Sequence, residues 1–193
     1  MSQMCYLCLM ARDDLIDSAL ATLNQSPSSS MADIAEAAGI SRATLNRHFA
    51  SRDALIGELG RRALDRWEGS LDDSGDRAAI KSGDPSVLRE AITTLLRHYV
   101  ADAEIFGFTL TETRLDHIPD LADRARALER REQALISAAQ RAGVLRSDVT
   151  PQWISWSVFG ALVGTRDGLR FGDLARRGLE DTLVTTFLEG FSA

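Results

Sequence analysis

Apolar residues recur at three- and four-residue spacing along almost the whole chain, the period of helices that bury one face. Between Ala11 and Leu23 this puts Leu15, Ile16, Ala19, Leu20 and Leu23 on one side of a first helix. Asn24 to Ser29 is polar and carries Pro27, so it reads as a loop. Ser30 then caps a short helix, with Asp33 placed to answer the cap and Ile34, Ala35 and Ala38 facing inward. Gly39 ends it, and Ser41 caps another, in which Leu45 and Phe49 share the inner face. A longer helix starts at Arg52 and continues through Leu55, Ile56, Leu59, Leu64 and Trp67. The stretch from Leu71 to Ser86 clusters Asp, Ser and Gly and reads as a linker with a flexible turn. Helices are expected at Val87–Ala103, at Ile105–His117 with Pro119 as terminator, and at Leu121–Ala142 with Gly143 as its stop. Thr150-Pro151 opens a helix that is apolar nearly all round until Arg166, which predicts burial on more than one side. Gly160 and Gly164 sit four apart on it, where a second helix can approach closely. Leu179–Phe191 is the last helix, and the fold class is all-α.

The outer surface of the Ser41 helix carries the most specific chemistry. Leu45 and Phe49 turn inward, which leaves Ala43 and Arg47 opposite them and Thr44 and Asn46 on the flanks. From Ser41 to Arg52 there are three arginines and a histidine, and no acid. Arg and Asn can fork onto guanine and adenine edges, so Arg42, Asn46 and Arg47 are candidate base readers. Ser30, Ser41, Thr44, His48 and Arg52 suit phosphate oxygens, and the small Ala43 allows close approach. A merely solvated surface is the bland alternative. It is weak because the turn chemistry around these residues already specifies a helix-turn-helix.

The string Asp33-Ile-Ala-x-x-Ala-Gly-Ile-Ser-x-Ala-Thr-Leu-x-x-His-Phe-x-Ser-Arg-x-x-Leu resembles the DNA-binding signature of TetR-family transcriptional regulators. The resemblance implies an all-helical homodimer. It implies a DNA-binding domain, here 11–58, that places its helix-turn-helix on double-stranded operator DNA, and a helical domain, here 59–193, that binds a small effector. It also implies that the last two helices pair with their copies in a four-helix seam, and that the protein is most often a repressor. Three positions depart from the pattern: Asn46 stands where the family usually has tyrosine, Arg52 where it has lysine, and Gln25-Ser-Pro-Ser-Ser replaces an aromatic-Gly segment.

Composition narrows the alternatives. The 193 residues are 45% hydrophobic and 26% charged, as in an ordinary globular protein. The net charge of −6 excludes a general basic coat, so DNA binding has to rest on the local Ser41–Arg52 patch. No run approaches the roughly 18 apolar residues of a membrane span, and Met1–Met10 lacks the basic region of a signal peptide, so the expectation is a cytoplasmic protein without a membrane partner. Cys5 and Cys8 form a C-x-x-C without a second pair; two ligands do not close a tetrahedral zinc site, and a frayed or helix-extending leader is preferred. Glu112, Asp116 and His117 are close in sequence, but helix-face carboxylates are commonplace, and neither a metal nor a cofactor is expected. No hydrolase, phosphate-loop or zinc-protease motif is present, so no catalytic residue is assigned.

An effector cavity calls for apolar walls with a few polar groups. Tyr99, Phe106, Thr109, Thr113, Trp153 and Trp156 are the candidates, with His98, Arg114 and Phe159 behind them. Trp156 and Phe159 fit a dimer seam equally well. The rival function is a ligand-binding or interaction protein with a vestigial helix-turn-helix, motivated by Asn46 and the acidic balance.

Overall fold

The structure is a computed structural model and describes residues 12–193; Cys5, Cys8 and the start of the first expected helix at Ala11 lie outside the described residues. The regular structure of the described residues is helical, apart from an isolated bridge between Leu145 and Ser192. Among these residues no helix is long and apolar enough to cross a membrane.

Three serines punctuate the first part. Helix α1 (Arg12–Gln25) is followed by α2 (Met31–Ala37), α3 (Arg42–His48) and α4 (Arg52–Asp73). The Ser30 hydroxyl accepts from the Asp33 amide, and the Ser30 amide donates to the Asp33 carboxylate at 2.7 Å, a complete capping box. Ser41 and Ser51 each accept from the third amide of the helix they open, at 3.1 Å. Gly39 turns the chain between α2 and α3 at φ +67, a left-handed conformation that side chains other than glycine adopt at a cost. Leu15, Leu23, Ile34, Leu45, Phe49, Leu55 and Leu59 then close a small core of their own.

The remaining elements surround a second core. They are α5 (Asp76–Ser82), α6 (Pro85–Phe106), two 3₁₀ turns (Gly107–Thr111 and Thr113–His117), α7 (Pro119–Arg141), α8 (Pro151–Phe171) and α9 (Leu179–Phe191). Leu88, Leu95, Leu135, Ile154, Val158 and Phe187 belong to this core. Helix α4 joins the two cores without a break; its 22 residues span about 33 Å at 1.5 Å per residue.

Three expectations need correction. The polar stretch Leu71–Ser86 is not a flexible linker: α4 runs to Asp73 and α5 fills Asp76–Ser82. Asp76 is buried and takes a two-pronged ion pair from Arg131 of α7, a long-range contact that local composition does not encode. No α-helix covers Ile105–His117, because α6 extends to Phe106 and two 3₁₀ turns follow; Pro119 opens α7 rather than ending its predecessor. Within one chain α8 buries one side only, the side of Ile154, Val158, Leu162 and Thr165. Its opposite side is open: Trp153 is 63% and Trp156 62% exposed. A Cβ at Gly160 or Gly164 would meet nothing within 4 Å.

The first 3₁₀ turn ties the cores together. Phe108 is buried in the core of α1–α4. Its amide donates to Asn24 Oδ1 at 2.7 Å, and Asn24 Nδ2 donates to the Ile105 carbonyl at 2.8 Å and the Glu104 carbonyl at 3.2 Å. Asn24→Ala strands these half-buried groups and is expected to cost about 1–3 kcal/mol of stability. A melting curve matching that of the parent protein would refute the role given to this side chain.

Candidate functional site

Two surfaces carry chemistry: the outer side of α3 and a cavity beneath α4. Because Leu45 and Phe49 are buried, α3 presents Arg42, Ala43, Asn46, Arg47 and His48 to solvent, with Thr44 half-buried between them. Ser41, Thr44 and Arg47 form a polar row: the two hydroxyl oxygens are 2.9 Å apart, and Arg47 Nη2 donates to Thr44 Oγ1 at 3.4 Å. The exposed residues of α3 include no acid. His48 leans toward Phe49, ring centres 6.5 Å apart, with its ring in solvent. Arg12, at the start of α1, lies over the Phe49 ring at 5.1 Å and reaches Glu58 at 3.5 Å.

Arg52 stands elsewhere than its phosphate assignment expects. Its guanidinium donates to the carbonyls of Ser29 and Pro27, so it clamps the α1–α2 turn from the start of α4. Ser30 is exposed beside that clamp, its oxygen engaged in the capping box. Hydrogen bonds from the Ser30 backbone and side chain hold the Asp33 carboxyl below its usual range.

The cavity, about 400 Å³, lies among α4, α6, α7, α8 and the 3₁₀ turns. Five of the six predicted residues meet there: Tyr99, Phe106, Thr109, Thr113 and Trp156 all line it, as does Phe159. Trp153 does not; one turn earlier on α8, it points to the outside. His98 and Arg114 are also absent from the wall, and Arg114 pairs with Glu112 at 3.1 Å. Glu112 also accepts from the Arg114 amide, capping the second 3₁₀ turn.

The wall holds residues that sequence reasoning missed. Trp67 Nε1 donates to the Tyr99 hydroxyl at 2.6 Å, Tyr99 donates to Glu132 Oε2 at 2.6 Å, and Ser155 donates to Glu132 Oε1 at 2.6 Å. Glu132 is 6% exposed. Burial pushes its carboxyl up from the usual range, against the opposing pull of the Ser155 and Tyr99 hydroxyls. Burial, and then the neighbouring Glu132, push the Tyr99 phenol well above its ordinary value. One signal for Glu132 was available: it interrupts the apolar stripe of α7 between Leu128 and Leu135. Trp67 carried no such mark, since a tryptophan on an apolar face reads as plain core.

Residues 15–59 match the model of bacterial regulatory proteins, tetR family. The chain is 28% identical over 187 residues to the HTH-type transcriptional regulator NfxB of Pseudomonas aeruginosa, covering 95% of this chain and 96% of that one. It is 25% identical to the HTH-type transcriptional repressor LfrR of Mycolicibacterium smegmatis, over 93% of this chain and 89% of the other. Among solved structures, AibR in complex with isovaleryl coenzyme A and operator DNA shares the fold with a TM-score of 0.68 at 16% identity, over 93% of this chain and 96% of that one.

Proposed function

We propose that the chain, whose residues 15–59 match the tetR family model, is a homodimeric TetR-family repressor which a small molecule in the α4–α8 cavity releases from operator DNA. The observation that carries this reading is the acid-free, cationic outer side of α3, held rigid by three serine caps and a closed core. Arg42, Asn46 and Arg47 are the base readers of the proposal. Ser30, Ser41, Thr44 and His48 take phosphates, and Arg52 positions the helix-turn-helix by clamping its entry turn. Two copies enter successive major grooves about 34–36 Å apart. The cavity supports the ligand half of the proposal, because α4 runs unbroken from the reading head to its wall at Gly60, Leu64 and Trp67. A ligand shifts the balance only by its difference in affinity for the released and bound forms.

The test starts with selection of an enriched palindrome from random DNA, followed by fluorescence anisotropy on that duplex. Arg47→Ala is expected to weaken binding by about 1–3 kcal/mol, roughly tenfold to a hundredfold, with the helical spectrum unchanged. Affinity is also expected to fall steeply with salt as phosphate counterions are released. Failure to enrich any sequence would favour the rival reading, a ligand-binding protein with a vestigial helix-turn-helix.

A further inference from the structure

The cavity wall has a one-sided charge. Five carboxylates line it, from Asp102, Glu112, Asp116, Glu129 and Glu132. No lysine, arginine or histidine stands among the lining residues. Three arginines bond to lining residues, and each is already paired. Arg66 meets Asp102 at 2.5 Å, and Arg114 meets Glu112 at 3.1 Å. Arg166 donates to Thr111 at 2.9 Å and is held by Asp167, also at 2.9 Å. These contacts neutralise Asp102 and Glu112. Asp116, Glu129 and Glu132 are left without a cationic partner among the described residues.

Glu132 is the most telling of the three. A carboxylate this deeply buried ordinarily has a basic partner. Here its hydrogen-bond donors are the neutral hydroxyls of Tyr99 and Ser155. Glu129, one turn earlier on α7, lines the same cavity and adds to the negative field at Glu132. Facing this field are Trp67, Tyr99, Phe106, Trp156 and Phe159. Their ring faces are electron-rich and attract cations, most strongly where water is excluded. An anionic ligand would meet repulsion here with no cationic side chain in the wall to offset it.

We propose that the effector of this cavity is an aromatic or otherwise largely apolar organic cation, whose positive charge is met by Glu132 and Glu129 on α7 and whose body is held among the tryptophan, tyrosine and phenylalanine rings. The inference rests on the reading of this cavity as the effector site. It goes further by fixing the charge of the ligand. The cavity, about 400 Å³, suits a molecule of two to four fused or linked rings.

The test uses three flat probes of similar size on the full-length protein: N-methylacridinium, acridine at a pH where it is uncharged, and anthracene carboxylate. Binding is read from the quenching of Trp67 and Trp156, which line the cavity, and checked by calorimetry. N-methylacridinium is expected to bind about tenfold or more tightly than acridine, and the carboxylate weakest. Glu129→Gln is expected to cost the cation several-fold in affinity and to leave acridine unchanged; Glu132→Gln should do the same more strongly. If Glu132→Gln does not fold, Glu129→Gln carries the test alone, because Glu129 is half-exposed and makes no ion pair among the described residues. Equal or tighter binding of acridine or the carboxylate, or no binding of any probe, overturns the proposal. Selective cation binding that leaves an enriched operator duplex occupied would instead count against the repressor reading and leave the charge preference standing.

Discussion

Arg131→Met is expected to lower the unfolding free energy by about 3–5 kcal/mol, as is usual when one partner of a buried ion pair is removed. Asp76 is 1% exposed, and Arg131 grips it with two parallel hydrogen bonds of 2.6 Å, from Nε and Nη2. The same Nη2 reaches Asp72 at 2.6 Å, so one guanidinium pins the end of α4 and the start of α5 to α7. The fork geometry raises the affinity of Arg131 for its proton, with the Asp76 hydrogen bond as the largest cause. Without the arginine the Asp76 carboxylate stays buried with no counter-charge. Urea unfolding at fixed protein concentration measures the loss, and circular dichroism reports it. Asp72→Ala serves as the control, because Asp72 is exposed and its removal should cost under about 1 kcal/mol. A loss for Arg131→Met no larger than that of the control would remove the pair from the account of stability. The double variant Arg131→Met with Asp76→Leu should recover much of the deficit, since an apolar pair of similar volume often replaces a buried ion pair at little cost.

Gly164→Arg is expected to convert the protein from dimer to monomer and to weaken operator binding by two orders of magnitude or more. The exposed side of α8 joins Trp153, Trp156 and Phe171 into an apolar stripe, with Gly160 and Gly164 as a flat floor between them. Apolar exposure of this kind marks a contact surface, and a two-fold axis would set the stripe against its own copy. An arginine in the middle of that stripe blocks close approach and brings an unpaired charge into an apolar seam. Within the chain it clashes with nothing, because the space at Gly164 is empty to 4 Å. Folding should therefore survive while assembly fails. Light scattering after size exclusion reads the first effect. Anisotropy on the enriched palindrome reads the second, which arises because the two half-sites are no longer linked and the gain of about 10²–10⁴ from bivalency is lost. A Gly164→Arg protein that still dimerises and binds with the parental affinity would place the seam elsewhere.

The reading head was legible in the sequence because its determinants are local. Ser30 with Asp33, Gly39 at φ +67 and Ser41 act over three or four residues, and the structure realises each in the way their spacing predicts. The cavity was legible only in part. Tyr99 and Phe106 lie on the same helix, and Thr109 and Thr113 follow it closely, so periodicity brings them near one another. Trp153 and Trp156, three residues apart, could not be told apart by type: both are exposed on the open side of α8, and only the second also borders the cavity. The failures all have a tertiary cause. Asp76 reads as a turn residue until Arg131 arrives from 55 positions away. Arg52 carries a contact that its local sequence does not announce, a clamp on the carbonyls of Pro27 and Ser29. The 3₁₀ turns after Phe106 keep an apolar rhythm close to that of a helix, and Phe108 gives no sign that its partners are in α1 to α4.

That phenylalanine bears on how the molecule could signal. Phe108 plugs the core beneath the reading head, while Thr109, Leu110 and Thr111 border the cavity. Adjacent links of one short peptide thus belong to two different compartments, with the Asn24 side chain bolted across the joint. On the proposed reading, sensor and output are pinned together at this peptide as well as along α4, and the shortest of those links is one peptide bond long.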